Sequence, residues 1–147
     1  PGVLRHVTSE PTPAPDRGMP VAEMTAERLH PGGHPFSDTS LSMRERYSRM
    51  FCNDMKAEEA EEFLDNLGYD QWPASCYSQR AWRFDHLAAL PVSYVLCLTD
   101  AILPLEWQER FAARVHARST PRIDAAHQVM NTRPNALAEV LLREAAL

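Results

Sequence analysis

The run from Val92 to Leu98 constrains the fold of this chain more than any other part of its sequence. It follows Pro91, is apolar at nearly every position and is rich in residues that favour β-structure. A strand buried on both faces of a parallel sheet has this near-continuous apolar pattern, whereas a half-exposed strand alternates apolar and polar side chains. We therefore predict a buried strand over residues 92–98, which ends just before Asp100.

The segments after this run predict helix and strand in alternation. Residues 104–117 and 134–147 carry apolar side chains at helical spacing, and each segment starts with a proline, which suits a first helical turn. Residues 120–125 predict a second, shorter strand that ends at His127. Strand, helix, strand and helix in this order make half of a doubly wound α/β sheet. The helical side chains predicted to face inward are Trp107, Phe111, Ala112, Val115, Leu137, Val140, Leu141 and Ala145.

The sequence offers too few strands to complete this sheet. Residues 1–35 predict an irregular, Pro-rich linker, because each proline removes a backbone donor and fixes φ. Residues 36–90 predict helices. Two parallel strands alone do not make a stable sheet. We therefore predict an α/β fold for residues 91–147, whose remaining strands lie on another polypeptide or on a part of the protein outside this sequence.

Residues 36–90 predict three short helices. The first begins at a capping box formed by Ser42 and Glu45, the second covers residues 56–67, and the third covers residues 73–89. The second helix has an acidic outer face, which we interpret as a solvated surface rather than a cation site. The acidic residues of this face are Glu58, Glu59, Glu61, Glu62 and Asp65.

Charge and composition argue against several classes of function. The net charge is −5, and no cluster of Lys and Arg is dense enough for a nucleic-acid surface. No apolar run approaches the roughly 20 residues that a membrane-spanning helix needs. Cys52, Cys76 and Cys97 fit no metal motif, so we predict reduced thiols in a cytoplasmic protein. His30 and His34 flank a Pro-Gly-Gly stretch that excludes a helix, so we predict no metal site there.

Asp100 and His127 are the residues whose positions in the sequence most strongly indicate a catalytic function. Each lies just past the carboxyl end of a predicted strand, where open α/β sheets gather their functional residues. A carboxylate beside an imidazole fixes the tautomer of the ring and stabilises the imidazolium, so that the ring takes a proton from a hydroxyl nucleophile. We therefore predict that these two side chains meet in one crevice. Asp124 is the rival carboxylate, and its place on the strand of His127 favours a structural role.

Residues 91–143 resemble the C-terminal end of the esterase branch of the α/β-hydrolase superfamily, which is related to plant methylesterases and hydroxynitrile lyases. Asn53-Asp54 followed by Glu59-Ala60 resembles the cap segment of the same branch, so the resemblance covers roughly residues 42–146. The residues that match the C-terminal pattern are Pro91, Tyr94, Asp100, Pro104, Gln108, His127, Met130, Arg133, Pro134, Leu137 and Ala138.

The resemblance implies a division of the chain and a role for its residues. Residues 36–90 would form a helical cap, and residues 91–147 would contribute the last two parallel strands of the core. Asp100 would be the acid of a Ser-His-Asp triad and His127 its general base. In the cap, aromatic side chains would either line an acyl or aromatic substrate pocket or seal the cap core, and both interpretations stand. These aromatic residues are Trp72, Tyr77 and Trp82.

Two positions depart from the family pattern. Ala126 stands where the family usually has a glycine before the histidine, so the loop is expected to differ slightly. The nucleophile motif G-x-S-x-G is absent, because none of the five glycines flanks a Ser, Cys or Asp as a nucleophile elbow requires. We therefore expect the nucleophile on an N-terminal α/β-hydrolase polypeptide outside this sequence.

The leading hypothesis is a serine-type hydrolase that cleaves a carboxylic ester or a related acyl compound and needs no cofactor. A lyase or cyclase that acts on a secondary metabolite would keep the same scaffold and use His127 as a base. A third hypothesis is a catalytically inert binding subunit. The sequence leaves these alternatives open, and neither a nucleic acid nor a membrane is an expected partner.

Overall fold

A computed structural model of the chain describes residues 38–68 and 89–146. The predicted linker over residues 1–35 and the predicted helix over residues 73–89, apart from its last residue, lie outside the described residues, as do Trp72, Tyr77 and Trp82. Within the described ranges the chain mixes helices with a two-stranded parallel sheet, which agrees with the α/β class. The elements are α1 (Met43–Phe51), α2 (Ala57–Asp65), β1 (Leu96–Cys97), α3 (Leu105–Arg114), β2 (Arg122–Ile123), α4 (Val129–Thr132) and α5 (Pro134–Ala145).

The two strands pair in parallel, with Leu96 opposite Arg122 and Cys97 opposite Ile123. The regular ladder is shorter than the predicted strands, but the backbone pairing continues on both sides of it, so residues 92–99 run beside residues 118–125. This places the residues after both strands at one edge of the sheet. The hydrogen bonds of the pairing include those from the N–H groups of Tyr94, Leu96, Leu98 and Thr99 to the carbonyls of Ser119, Pro121, Ile123 and Ala125.

Helices cover both faces of this strand pair. Tyr94 and Leu96 point to one face and pack with the apolar side of α3, including Trp107 and Phe111. Cys97 points to the other face and packs with residues of β2, α4 and α5. The middle of β1 is therefore buried on both faces, as its apolar sequence predicted. The prediction was wrong at its last residue, Leu98, which is 38% exposed because it lies in the turn beyond the ladder.

The first two predicted helices are present as α1 and α2. Ser42 caps α1, and the Glu45 carboxylate accepts from the Ser42 N–H, so the predicted capping box is present. The acidic face of α2 is exposed, as predicted. On that face, Arg44 of α1 contacts the carboxylates of Glu61 and Asp65 at 2.5 and 2.8 Å. This ion-pair cluster joins the two helices along their solvent side.

The third helix ends in a left-handed residue that is not glycine. His116 has φ 52°, and its N–H donates to the Ala113 carbonyl. The next N–H, of Ala117, donates to the Ala112 carbonyl at 2.9 Å. This pattern is a Schellman motif, which usually places glycine at the left-handed position because a Cβ atom disfavours that conformation.

The last helix begins with Pro134 at its first turn, as predicted, but its inward face differs from the prediction. Val140 is buried and Leu137 is partly buried, whereas Leu141 is 57% exposed and Ala145 is also exposed. The reason is that Glu144 takes the inward position one turn after Val140. Its carboxylate accepts from the hydroxyls of two serines at the amino end of the strand pair, Ser93 and Ser119.

Among the described helices, none is long and apolar enough to cross a lipid bilayer.

Candidate active site

Asp100 lies directly after the carboxyl end of β1 and is held by the turn that follows it. Its Oδ1 accepts from the backbone N–H groups of Ile102 and Leu103, at 2.7 and 3.0 Å. Aspartate commonly stabilises turns in this way, because its short side chain reaches the N–H groups two and three residues on. The turn leads into Pro104, the N-cap residue of α3. One carboxylate oxygen is therefore fixed locally, and the other is left for a distant partner.

That partner is His127. The Nδ1 of His127 lies 2.8 Å from Oδ2 of Asp100, although the two residues are 27 positions apart in the chain. The side chain of Asp100 is fully buried and that of His127 is 9% exposed. An ionised carboxylate only accepts hydrogen bonds, so a neutral imidazole in this position would carry its proton on Nδ1 and its lone pair on Nε2. The pairing of these two predicted side chains is confirmed.

The loop before His127 is tightly packed. Ala125 and Ala126 are fully buried, and the ring of Phe51 from α1 meets the imidazole edge-on with the ring centres 5.8 Å apart. Among the described residues, His116 is the only one besides glycine with positive φ. Ala126 therefore has an ordinary backbone conformation, and an alanine causes no strain at this position.

Two residues in the turn between α1 and α2 reach the loops that carry the pair. Asn53 Nδ2 donates to the Thr99 carbonyl at 2.8 Å, directly before Asp100. Asp54 Oδ2 accepts from the Ala126 N–H at 2.9 Å, directly before His127. The sequence showed only that Asn53-Asp54 resembles a cap segment, and no local pattern indicated these contacts.

Gln108 of α3 is a third residue whose role the sequence did not reveal. It is fully buried, its Oε1 accepts from the Cys97 N–H, and its Nε2 donates to the Cys97 carbonyl, both at 2.8 Å. Its Nε2 also lies 2.8 Å from the Leu103 carbonyl. The side chain therefore occupies the hydrogen-bonding position of a neighbouring strand at this point of β1, and it ties the turn of Asp100 to that strand.

The negative charge of Asp100 acts on the groups around it. Burial, with a smaller contribution from Asp100, raises the pKa of the Cys97 thiol to about 11. The same two causes raise the pKa of the Tyr94 hydroxyl, which is buried and has no hydrogen-bond partner among the described residues. Cys52 and Cys97 are free and buried, while Cys76 lies outside the described ranges. Neither thiol is therefore prepared to act as a nucleophile at neutral pH.

The other candidates are not part of this pair. Asp124 is exposed, so it does not replace Asp100 as the partner of the imidazole. His30 and His34 lie outside the described residues, and the part of the chain that the structure describes contains no group of His, Cys, Asp and Glu suited to a metal ion. A cleft of about 350 Å³ lies between α2 and α4, but neither Asp100 nor His127 lines it.

The comparisons with known proteins were negative. No protein-family model matches the chain, and no curated protein matches it.

Proposed function

We propose that this chain is the acid-and-histidine part of a serine-type α/β-hydrolase that cleaves a carboxylic ester or a related acyl substrate. In this proposal residues 36–90 are the helical cap and residues 91–147 belong to the core. The nucleophile and the remaining strands belong to an N-terminal α/β-hydrolase polypeptide outside this sequence. The single observation that carries the proposal is the buried 2.8 Å contact between His127 Nδ1 and Asp100 Oδ2 at the carboxyl ends of two parallel strands.

The arrangement of hydrogen bonds supports this role for the pair. Asp100 uses one oxygen for its own turn and the other for His127, so the carboxylate is fixed at both oxygens. The imidazole is oriented by this bond, and Nε2 forms no hydrogen bond with the described residues. A general base needs a fixed ring with a free lone pair, and the triad chemistry of serine hydrolases uses this combination.

The proposed reaction has two steps. A serine Oγ attacks the carbonyl carbon of the acyl substrate, its proton moves to Nε2 of His127, and Asp100 stabilises the imidazolium. The proton then passes to the leaving alcohol as the carbon–oxygen bond breaks. In the second step water attacks the acyl carbon and gives a proton to Nε2, and this proton returns to the serine Oγ as the bond between the acyl carbon and the serine oxygen breaks and the acid leaves. The oxyanion-hole donors also belong to the part outside this sequence.

The sheet supports the expectation of further strands. Helices cover both faces of β1, as in a doubly wound sheet. Within the described residues β1 pairs with one strand only, β2, and the Gln108 amide occupies its other edge at Cys97, so a further strand would pair with the residues before Cys97. In α/β-hydrolases the nucleophile, acid and histidine follow this order along the chain, and Asp100 precedes His127.

A fluorophosphonate probe tests the proposal. The chain is isolated from its natural source through a tag, together with any polypeptide bound to it, and is treated with the probe. We expect a serine on the partner part to displace fluoride and become labelled. We expect His127→Ala to slow labelling by about 10³-fold or more, because the serine loses its base.

Matched variants serve as controls. His116→Ala removes an exposed histidine and should label at the rate of the unmodified protein. Equal labelling of the His127→Ala protein would contradict the triad. A stable complex in which no polypeptide is labelled would instead favour the inert binding subunit. Labelling that depends on His127, without turnover of any ester, would favour the lyase or cyclase.

A further inference from the structure

We propose that Asn53 and Asp54 are positioning residues that set the distance between the acid and the histidine. This inference rests on the proposed function for its catalytic meaning, but the contacts themselves belong to the described residues. The two side chains lie in the short turn between α1 and α2, far in sequence from both loops. Each of them holds the residue directly before one member of the pair, so a single turn fixes both.

Asn53 holds the loop of Asp100 through a hydrogen bond from its side-chain amide. Asn53 Nδ2 donates to the Thr99 carbonyl at 2.8 Å, and the Thr99 N–H donates to the Ala125 carbonyl at 3.1 Å. The peptide groups on both sides of Thr99 are therefore fixed, one by Ala125 after β2 and the other by Asn53. The backbone at Asp100 is held before its own turn begins.

Asp54 holds the loop of His127 through charge-assisted hydrogen bonds to its carboxylate. Asp54 Oδ2 accepts from the Ala126 N–H and from the Thr132 hydroxyl, both at 2.9 Å, so the carboxylate spans the loop of His127 and the end of α4. Arg133 Nη1 lies 3.8 Å from the same oxygen. Hydrogen bonds to a charged acceptor are stronger than bonds between neutral groups. The loop of His127 is therefore held by the carboxylate at two points.

Stability alone is a poor explanation for this carboxylate. The Asp54 side chain is 11% exposed, and its Oδ1 is buried without a hydrogen-bond partner among the described residues. Taking a charge out of water with one oxygen unsatisfied is costly, and an apolar side chain of similar size would often stabilise the fold as well or better. What the carboxylate does provide is a fixed position for the N–H of Ala126.

Nitrogen NMR of the histidines of the full chain tests the proposal without using activity. The ¹⁵N chemical shifts of His127 report which ring nitrogen carries the proton. We expect the unmodified ring to hold its proton on Nδ1, opposite Asp100. In Asp54→Ala we expect this preference to fall towards that of a free imidazole. The Ala126 amide should then exchange with solvent about tenfold or more faster, because it loses a bond to a charged acceptor.

Further variants separate positioning from folding. Asp54→Asn keeps one acceptor for the Ala126 N–H and should retain most of the Nδ1 preference. Thr132→Val removes the other bond to Asp54, so it should lower the melting temperature while leaving the tautomer of His127 unchanged. Asn53→Ala should weaken the preference from the side of Asp100. Asp65→Ala deletes an exposed carboxylate of α2 and should change neither measurement.

The outcomes are decisive in both directions. A folded Asp54→Ala protein with the unmodified tautomer and amide exchange would overturn the proposal. If Asp54→Ala does not fold, Asn53→Ala decides the question, and an unchanged tautomer in that variant overturns the proposal. A positive NMR result without fluorophosphonate labelling would leave the positioning role standing and would remove the proposed hydrolase instead.

Discussion

The two ends of the strand pair each contain a carboxylate that joins both strands, but the two carboxylates are in different surroundings. At the carboxyl end, buried Asp100 binds the imidazole of His127. At the amino end, Glu144 reaches over from α5 and accepts from the hydroxyls of Ser93 and Ser119, near solvent. The serines only hold the strands together, whereas on the proposed function the imidazole also takes up and releases a proton. On that proposal, the same type of contact stabilises the fold at one end and positions a catalytic base at the other.

The largest expected effect comes from the carboxyl end. Asp100→Asn keeps an oxygen for the turn but offers no negative charge to the imidazole, so on the proposed function the labelling rate should fall by about 10⁴-fold. Labelling kinetics with the fluorophosphonate measure this. Asp124→Asn, which changes an exposed carboxylate near the end of β2, is the matched control. A loss of less than about tenfold would mean that the two ends do not differ in chemistry.

The next-largest expected effect concerns Gln108 of α3, which contacts β1 near the carboxyl end of the strand pair. Gln108→Leu leaves the N–H and carbonyl of Cys97 without their partner, and it also releases the Leu103 carbonyl. Because buried polar groups without partners are costly, the free energy of unfolding should fall by about 3 kcal/mol, as urea denaturation measures.

Gln128→Leu is the control for this prediction. Its side chain is partly exposed and forms no hydrogen bond with the described residues, so the change should be close to neutral. If both variants lost the same stability, the role of Gln108 as a substitute strand edge would be wrong.

A smaller effect, on the pH dependence of the melting temperature, is expected at the amino end of the strand pair. The hydrogen bond from Ser93, together with that from Ser119, holds the pKa of Glu144 below its ordinary value of 4.5. A carboxylate with a lowered folded pKa contributes stability that is complete above about 4.5 and is lost as the pH falls through the folded pKa. Glu144→Gln should therefore flatten the fall of the melting temperature below about pH 4.5.

Glu139→Gln, an exposed change on the same helix, should leave that pH profile as it is in the unmodified protein. Labelling at neutral pH should be unchanged in both variants, since neither residue touches the pair at the carboxyl end. An unaltered acid profile in Glu144→Gln would show that the amino end is not held by this charge.

The smallest effect is a gain of stability, also near the amino end. His116 is left-handed at the end of α3, just before the chain returns to β2. His116→Gly should remove the steric cost of the Cβ atom and raise the free energy of unfolding by about 1 kcal/mol. His116→Ala keeps the Cβ atom and should give no such gain. Equal stabilities of the Gly and Ala variants would show that the left-handed backbone carries no cost here.

The local parts of the site were predictable, because they depend on residues close together in the chain. The apolar run before Asp100 and the shorter strand before His127 placed both residues at one edge of the sheet. The capping box at Ser42 and the proline that opens α5 were also confirmed. The prediction of the inward face of α5 was partly wrong, since Glu144 occupies an inward position that apolar periodicity assigned to Leu141 or Ala145.

The sequence by itself determined the α/β pattern of the described core and the two residues that meet beyond its strands. Burial and helix periodicity could be predicted because they depend on the spacing of apolar residues that are close together in the chain. Only the tertiary structure decided how the loops of this pair are held. Asp54 reaches Ala126 across 72 positions, and the Gln108 amide fills a strand edge that its helical periodicity marks only as buried. Such contacts depend on where folded elements come to lie, and a hydrogen bond between distant polar side chains leaves no periodic signal in the chain.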